Sequence, residues 1–382
     1  VLMDVNTEAV LYSKNADTQL YPASITKILT TLLACENIPY KQKITVSESA
    51  SASVSAGDSS IYAAPGEVFT RDQALMAVML QSANEMTLAV AELTSGSTKK
   101  FVEQMNLKAR QLGCTNTHFN NPNGLPDEIH YTTASDMAKI ARAAWFNPTF
   151  RKFASTQYYE IPPTNKFAEK RYLLNHHKMM KGQTYAYDGV LGGKTGYTEV
   201  AGNTLVTYAK NDNTYLVSVV LQSVNGAYSD TKALLDYGFN NFSRTAVKDL
   251  PAKITRHFLP AEKYILKNYK DDTLFETRRT ASVSLPSGVD TSALEKTCSI
   301  TKNPADVFKA SATDKAVSQV IEYQNDVERN HILNAVSDFM KSNGISTAYL
   351  LNKDVLTDIL IGGNKLAVER DSWKKEYKLA AA

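Results

Sequence analysis

The chain has 382 residues, 43% apolar and 21% charged, more than one ordinary hydrophobic core holds, which predicts at least two domains. That mixture excludes a disordered, collagen-like or disulfide-dense protein. A net charge of +3 with acids and bases intermixed gives no support to a nucleic-acid partner. No apolar run approaches the roughly 18 residues that a membrane-spanning helix needs.

Val1–Val5 and Ala9–Tyr12 read as a β-hairpin turning near Asn6-Thr7. A helix follows from about Ser24 to Glu36, with Ile25, Ile28, Leu29, Leu32 and Leu33 at helical spacing and Pro22 just upstream. Thr70 and Gln73 form a capping-box pattern ahead of a helix with Ala74, Met76, Ala77, Met79 and Leu80 as its apolar content. Further helices are expected from about Glu85 to Leu93, from about Lys99 to Leu112 with Gly113 as stop, and from Thr133 through Ala144. Asn120-Asn121-Pro122-Asn123-Gly124 is a loop. Strand patterns return at Thr204–Tyr208 and Tyr215–Leu221, and a last helix lies near Thr231–Asn240. This order predicts a sheet covered by helices. From Lys253 the texture changes to short strand-like runs, Ala281–Leu285, Val317–Glu322 and Ala348–Leu351, which read as a separate β-rich domain.

Cys35, Cys114 and Cys298 have no metal-ligand spacing and read as buried or half-buried thiols. The chain opens on Val1-Leu2-Met3-Asp4-Val5 as a processed or trimmed protein would, and Lys378–Ala382 reads as vector-derived. His176-His177 is the one close histidine pair, and adjacent residues point to different sides, so metal chemistry is not expected. A G-x-S-x-G elbow and a glycine-rich phosphate loop are both missing, and the many carboxylates are scattered.

Ser24-Ile25-Thr26-Lys27 remains. A serine hydroxyl needs a base beside it to act as a nucleophile. On a helix, residues i and i+3 share a face, so Lys27 reaches the Ser24 hydroxyl. A partly buried lysine near other positive charge gives up its proton and serves as that base. Ser24 at the helix start also meets free backbone N–H groups that favour developing negative charge. Alone the pattern is weak, because Ser97/Lys100, Ser229/Lys232, Ser299/Lys302 and Ser372/Lys375 repeat it. Two further elements add to it. Ser82-Ala83-Asn84 falls in the break between two helices, where a turn aims a hydroxyl and an amide at one point. Lys194-Thr195-Gly196 occurs once, after Gly192-Gly193 and ahead of the strand pattern at Ala201–Tyr208.

In the order SxxK, SxN, KTG, with about 55 residues between the first two and about 110 between the last two, these elements resemble the signature set of the penicillin-binding and serine β-lactamase superfamily. Val1–Tyr12 with Asn15-Ala16-Asp17, Pro22-Ala23-Ser24, Asn121–Pro126, His130-Tyr131-Thr132-Thr133 and Gly189–Thr198 resemble D-alanyl-D-alanine carboxypeptidases of the penicillin-binding protein 5 type. The resemblance is close over residues 1 to about 245 and thin over 250–365. It implies an α/β (α+β) penicillin-binding-protein-like domain, an antiparallel sheet covered by helices plus an all-helical subdomain, followed by a smaller β-rich C-terminal domain. The expected division is 1–248, 249–366 and a tail 367–382.

The resemblance also implies roles. Ser24 is the acylated nucleophile and Lys27 its general base. Ser82 relays a proton to the leaving D-alanine, and Asn84 contacts the substrate amide. Lys194 holds positive potential over the site, Thr195, Gly196 and Tyr197 bind substrate with the Thr195 hydroxyl on its terminal carboxylate, and the backbone N–H groups of Ser24 and Tyr197 form an oxyanion hole. No cofactor or metal is implied. The implied partners are peptidoglycan stem peptides ending in D-Ala-D-Ala and β-lactams as covalent inhibitors, and the implied place is extracytoplasmic. Many members attach to the membrane surface through a C-terminal amphipathic helix, and Arg370–Tyr377 is too short to be one.

Two positions depart from the family pattern: Ala83 stands where Gly is common, and Asn240 follows Gly238-Phe239 where some members carry Arg. Tyr131 and Tyr197 are candidates for lining the cleft, and His130 reads as structural, since a lysine already supplies the base. The alternatives are a β-lactamase, for which Glu160 and Asn165 are one residue too far apart to make Glu-x-x-x-Asn, a transpeptidase sharing the acyl-enzyme, and an inactive wall-binding scaffold, which predicts an eroded motif.

Overall fold

The computed structural model describes residues 1–223, 226–247, 253–255, 273–276 and 281–289. The chain separates into two compact units: Val1–Thr245 with Ser282–Val289, and Ala246–Ala281 with Asp290–Ala382.

The first unit opens with the expected hairpin, β1 (Leu2–Asp4) and β2 (Val10–Tyr12). Asp4 closes its turn, with Oδ1 accepting from the N–H of Asn6 at 2.8 Å and of Thr7 at 2.9 Å. A 3-10 turn, Ala23–Thr26, leads into α1 (Lys27–Asn37), so the helix expected from Ser24 starts as a tighter coil. There follow β3 (Lys43–Thr45), α2 (Glu48–Ala52), β4 (Val68–Thr70), α3 (Arg71–Leu80), α4 (Asn84–Ser95), α5 (Thr98–Gln111), α6 (Ala134–Phe146) and α7 (Pro148–Ser155). The capping box at α3 is present in both directions. Thr133 caps α6 by accepting from Asp136 N at 3.1 Å. Gly96 and Gly113, both at positive φ, follow the ends of α4 and α5.

Next come β5 (Tyr158–Ile161), β6 (Arg171–Leu174), β7 (Val190–Thr198), β8 (Gly202–Asn211), β9 (Thr214–Val220), α8 (Ala227–Asn241) and β10 (Phe242–Val247). The main sheet runs β2-β1-β9-β8-β7 and is antiparallel throughout. Residues alternate between its two faces. Met3, Val206, Tyr208, Val217 and Val219 join the core shared with α1, α3, α4 and α6. Leu2, Leu205, Ala209, Leu216 and Val220 pack with Leu235 of α8 on the other face. Gly238 makes that second layer possible, because a Cβ there would lie 2.6 Å from Leu2 Cδ2 and Leu216 Cδ1. The helical part also carries two ribbons, β3 with β4 and β5 with β6, that no periodicity signalled.

In the second unit β11 (Lys253–Thr255) pairs antiparallel with β12 (Thr273–Glu276). β13 (Ala281–Pro286), where the strand-like run Ala281–Leu285 was expected, pairs with β10. From it Ser284 donates to Asp4 Oδ2 at 2.8 Å, within the first unit. The runs at Val317–Glu322 and Ala348–Leu351, Cys298 and the tail lie outside the described residues. Cys35 and Cys114 are free thiols, half-buried and buried.

Candidate active site

Ser24 lies in the 3-10 turn with Ala23 before it at φ 51, a left-handed conformation that is costly for a residue with a side chain. Tertiary packing holds it there. Gly124 of the Asn121–Pro126 loop approaches so closely that a Cβ would lie 1.9 Å from Ala23 O. Thr30 donates to Pro122 O at 2.6 Å, and Thr204 of β8 donates to Pro22 O at 2.9 Å. His130 ties the loop from behind. Its Nδ1 accepts from Asn120 N at 2.9 Å, which puts the proton on Nε2, 3.0 Å from Thr26 Oγ1. Burial lowers the His130 pKa to about 4, so this ring is neutral.

Lys27, one turn on, is fully buried. Its Nζ lies 2.8 Å from Ser24 Oγ and donates to Asn84 Oδ1 at 2.8 Å and to Asn123 O at 2.6 Å. Those two acceptors take the N–H bonds of a neutral amine and leave its lone pair toward the serine hydroxyl. Burial first, then repulsion from Lys194, holds Lys27 well below the ordinary lysine range, with Asp58 and Glu85 pulling the other way.

Ser82 and Ala83 form the break between α3 and α4. Ser82 also sits in the left-handed region, at φ 59, and Ala83 is fully buried at the N-cap of α4, so its methyl group fits. Lys194 enters from β7, where strand pairing sets it opposite Val206. Its Nζ donates to Ser82 Oγ at 3.2 Å and to Thr195 O at 2.9 Å, and burial brings its pKa down to about 7. Gly196 brings β7 against the serine turn: a Cβ there would lie 2.4 Å from Thr204 Oγ1 and 2.8 Å from Ser24 N.

These groups border a cleft of about 260 Å³ lined by Ser24, Ser82, Thr195, Gly196 and the 64%-exposed Tyr197, with Gly57, Ser59, His176 and Tyr228 among its other walls. A larger depression of about 800 Å³ beside α8 and β2 contains none of the expected site residues. Tyr131 does not line the cleft; its backbone pairs with that of His118. Asn240 is exposed at the end of α8, beside Tyr187 and Asp188, and does not line the cleft. His176 meets Gln81 at the rim while the buried His177 meets Thr207, pointing apart as adjacent residues on an extended segment do. Among the described residues no cluster of three or more His, Cys, Asp or Glu side chains could hold a metal ion.

Sequence reasoning missed several participants. Asn123 contributes a backbone carbonyl, which no side-chain motif announces. Glu85, next to Asn84, is fully buried, and its position right after the SxN element was the available signal. The wall formed by Gly57 and Ser59 carries no pattern of its own.

A comparison with protein families matches residues 1–225 to the D-alanyl-D-alanine carboxypeptidase family. D-alanyl-D-alanine carboxypeptidase DacF of Bacillus subtilis strain 168 is 37% identical over 249 residues, 63% of this chain and 62% of that protein. DacA of Escherichia coli K12 is 30% identical over 271 residues, 68% of this chain and 63% of that protein. The chain thus spans about three fifths of the length of these curated relatives. Among solved structures, penicillin binding protein 5 of Haemophilus influenzae superposes with a TM-score of 0.62 at 28% identity, covering 75% of this chain and 81% of that one. The Streptomyces K15 DD-transpeptidase gives 0.58 at 31% identity, over 63% of this chain and 95% of its own. With the serine, lysine and KTG elements brought to one cleft and the family match covering more than half of its residues, the chain belongs to the D-alanyl-D-alanine carboxypeptidase family.

Proposed function

We propose that the first unit is a serine D-Ala-D-Ala carboxypeptidase that removes the terminal D-alanine of peptidoglycan stem peptides through an acyl-enzyme on Ser24. The observation that carries this reading is the buried Lys27 amine 2.8 Å from the Ser24 hydroxyl, with both of its N–H bonds engaged elsewhere. Lys27 takes the Ser24 proton as Oγ attacks the penultimate carbonyl. The oxyanion is received by the N–H groups of Ser24 and Tyr197, donors fixed before charge develops. Lys194 and Thr195 hold the terminal carboxylate, and Ser82, bonded to Lys194, relays to the leaving amine the proton that Lys27 took from Ser24, which leaves both neutral again. Water then releases the acyl group. Such chemistry acts on wall peptides, so the protein works outside the cytoplasm. Among the described residues no helix is long and apolar enough to cross a membrane.

The β-lactamase alternative lacks support in the cleft. Glu160 pairs with Lys170 on the surface, Asn165 bonds Val68 N and Gly66 O, and neither lines the cleft. Intact mass after incubation with a fluorescent penicillin, wild type beside Ser24→Ala, tests the reading. A stable single adduct, lost in the variant, is expected, with D-alanine released from a stem-peptide mimic. Rapid penicillin hydrolysis without an adduct would favour a β-lactamase, and neither adduct nor hydrolysis would sink the assignment of Ser24. Transfer of the peptide to an added amine in place of D-alanine release to water would make the protein a transpeptidase.

A further inference from the structure

Glu85 is fully buried in the first turn of α4, immediately after Asn84. Its Oε1 accepts from Ser60 Oγ at 2.7 Å, Ile61 N at 2.8 Å and Ala63 N at 3.3 Å. Its Oε2 has no hydrogen-bond partner among the described residues. A buried carboxylate with a bare oxygen is costly, and it persists where its other contacts are worth more.

Those contacts hold a segment with no regular structure. Residues 58–64, between α2 and β4, run without helix or strand, yet Ile61 and Ala63 are buried. Buried backbone N–H groups need acceptors, and here a carboxylate supplies what a β-ladder otherwise would. The tie is reciprocal, since Asn84 N donates to Ser59 O at 2.8 Å. On the other side Arg171 Nε donates to Ile61 O at 3.0 Å, so charges of opposite sign grip adjacent peptide units. Between them Tyr62 is held at φ 56 and is 82% exposed. Ser59, at the start of the gripped stretch, lines the cleft together with Ser24 and Ser82.

We propose that Glu85 is a positioning residue that fixes residues 58–63 as a preformed wall of the cleft and sets its carboxyl group next to Asn84, the side chain that Lys27 bonds. The proposal rests on the reading of Ser24 as the acylated nucleophile. Three charged groups act on Lys27: Lys194 from β7, Asp58 from the segment itself and Glu85 from α4, while His130 behind the loop is neutral. Lys194 favours proton loss from Lys27, whereas Glu85 and Asp58 favour its retention. Replacing the Glu85 carboxyl group by an amide therefore lowers the pH at which Lys27 becomes a free base.

The test uses the full chain as wild type, Glu85→Gln and Glu85→Ala, with amide exchange at Ile61 and Ala63 and the pH profile of acylation by a fluorescent penicillin. In Glu85→Ala, exchange protection at both amides should fall about tenfold or more, and the plateau acylation rate by about tenfold. In Glu85→Gln, which keeps an acceptor oxygen, the rising limb should move to lower pH. A merely structural acid would leave that limb in place. If Glu85→Ala does not fold, the Gln variant still decides the matter by its limb and its exchange. Wild-type exchange with an unmoved limb would overturn the proposal. A wild-type chain that takes no penicillin would overturn the assignment of Ser24 instead, and exchange at Ile61 and Ala63 would then judge Glu85 alone.

Discussion

Lys27 and Lys194 are both buried, and the proposed reaction needs them in opposite protonation states. Lys27 must be neutral to accept a proton, so the rate rises as pH climbs through its lowered pKa. Lys194 must be charged to draw in a carboxylate, so the rate falls as pH passes about 7. For a free D-Ala-D-Ala peptide, kcat/KM should trace a bell whose alkaline limb lies near 7 and disappears in Lys194→Gln, with a lower maximum. A wild-type profile still flat at pH 9 would remove Lys194 from carboxylate recognition. At this scale the sequence was readable for side chains that form a motif. Ser24, Lys27, Ser82, Asn84 and Lys194 were named from motifs and the resemblance they carry, and Lys27 bonds Ser24 and Asn84 while Lys194 bonds Ser82. Asn123 O and the Glu85 carboxylate were not readable, because a backbone carbonyl and a buried acid look the same in sequence as any other.

Among the strands of the main sheet, β7 was the one not read as a strand. Gly192, Gly193 and Gly196 depress strand propensity there, yet each admits a close neighbour: a Cβ would lie 2.0 Å from Ala154 O, 1.9 Å from Val206 O and 2.4 Å from Thr204 Oγ1, respectively. The propensity is overridden because β8 pairs with it from Val190 to Thr198. Gly196→Ala should therefore leave the fold largely intact while moving β7 away from the serine turn, lowering penicillin acylation about a hundredfold. Circular dichroism beside the acylation rate checks this, and an unchanged rate would show that the strand yields without disturbing Ser24. Capped helices were legible because caps are local. The β3–β4 and β5–β6 ribbons were not, since strands of three or four residues carry too few alternations to register.

For the whole molecule, the order of sheet, helical block and returning sheet was legible, while the return of residues 282–289 to the first unit was not. Ser284 is bound there by the buried Asp4, which also closes the first hairpin. Ser284→Ala leaves Asp4 Oδ2 without that donor and should cost about 1–3 kcal/mol in urea unfolding of the full chain. A change under about 0.5 kcal/mol would mean that Thr7 or water replaces it. Long-range closure of this kind also governs the cleft. Lys27 takes its partners from Asn84 and Asn123, 57 and 96 positions away in the chain, and Lys194 finds Ser82 across 112. Before those segments meet, Ser24 and Lys27 are no different from Ser97 and Lys100. If Ser24 is the nucleophile proposed above, its reactivity is a certificate of completed folding: a covalent label on that serine would count native molecules, and its rate of appearance during refolding would time the long-range contacts rather than the first helix.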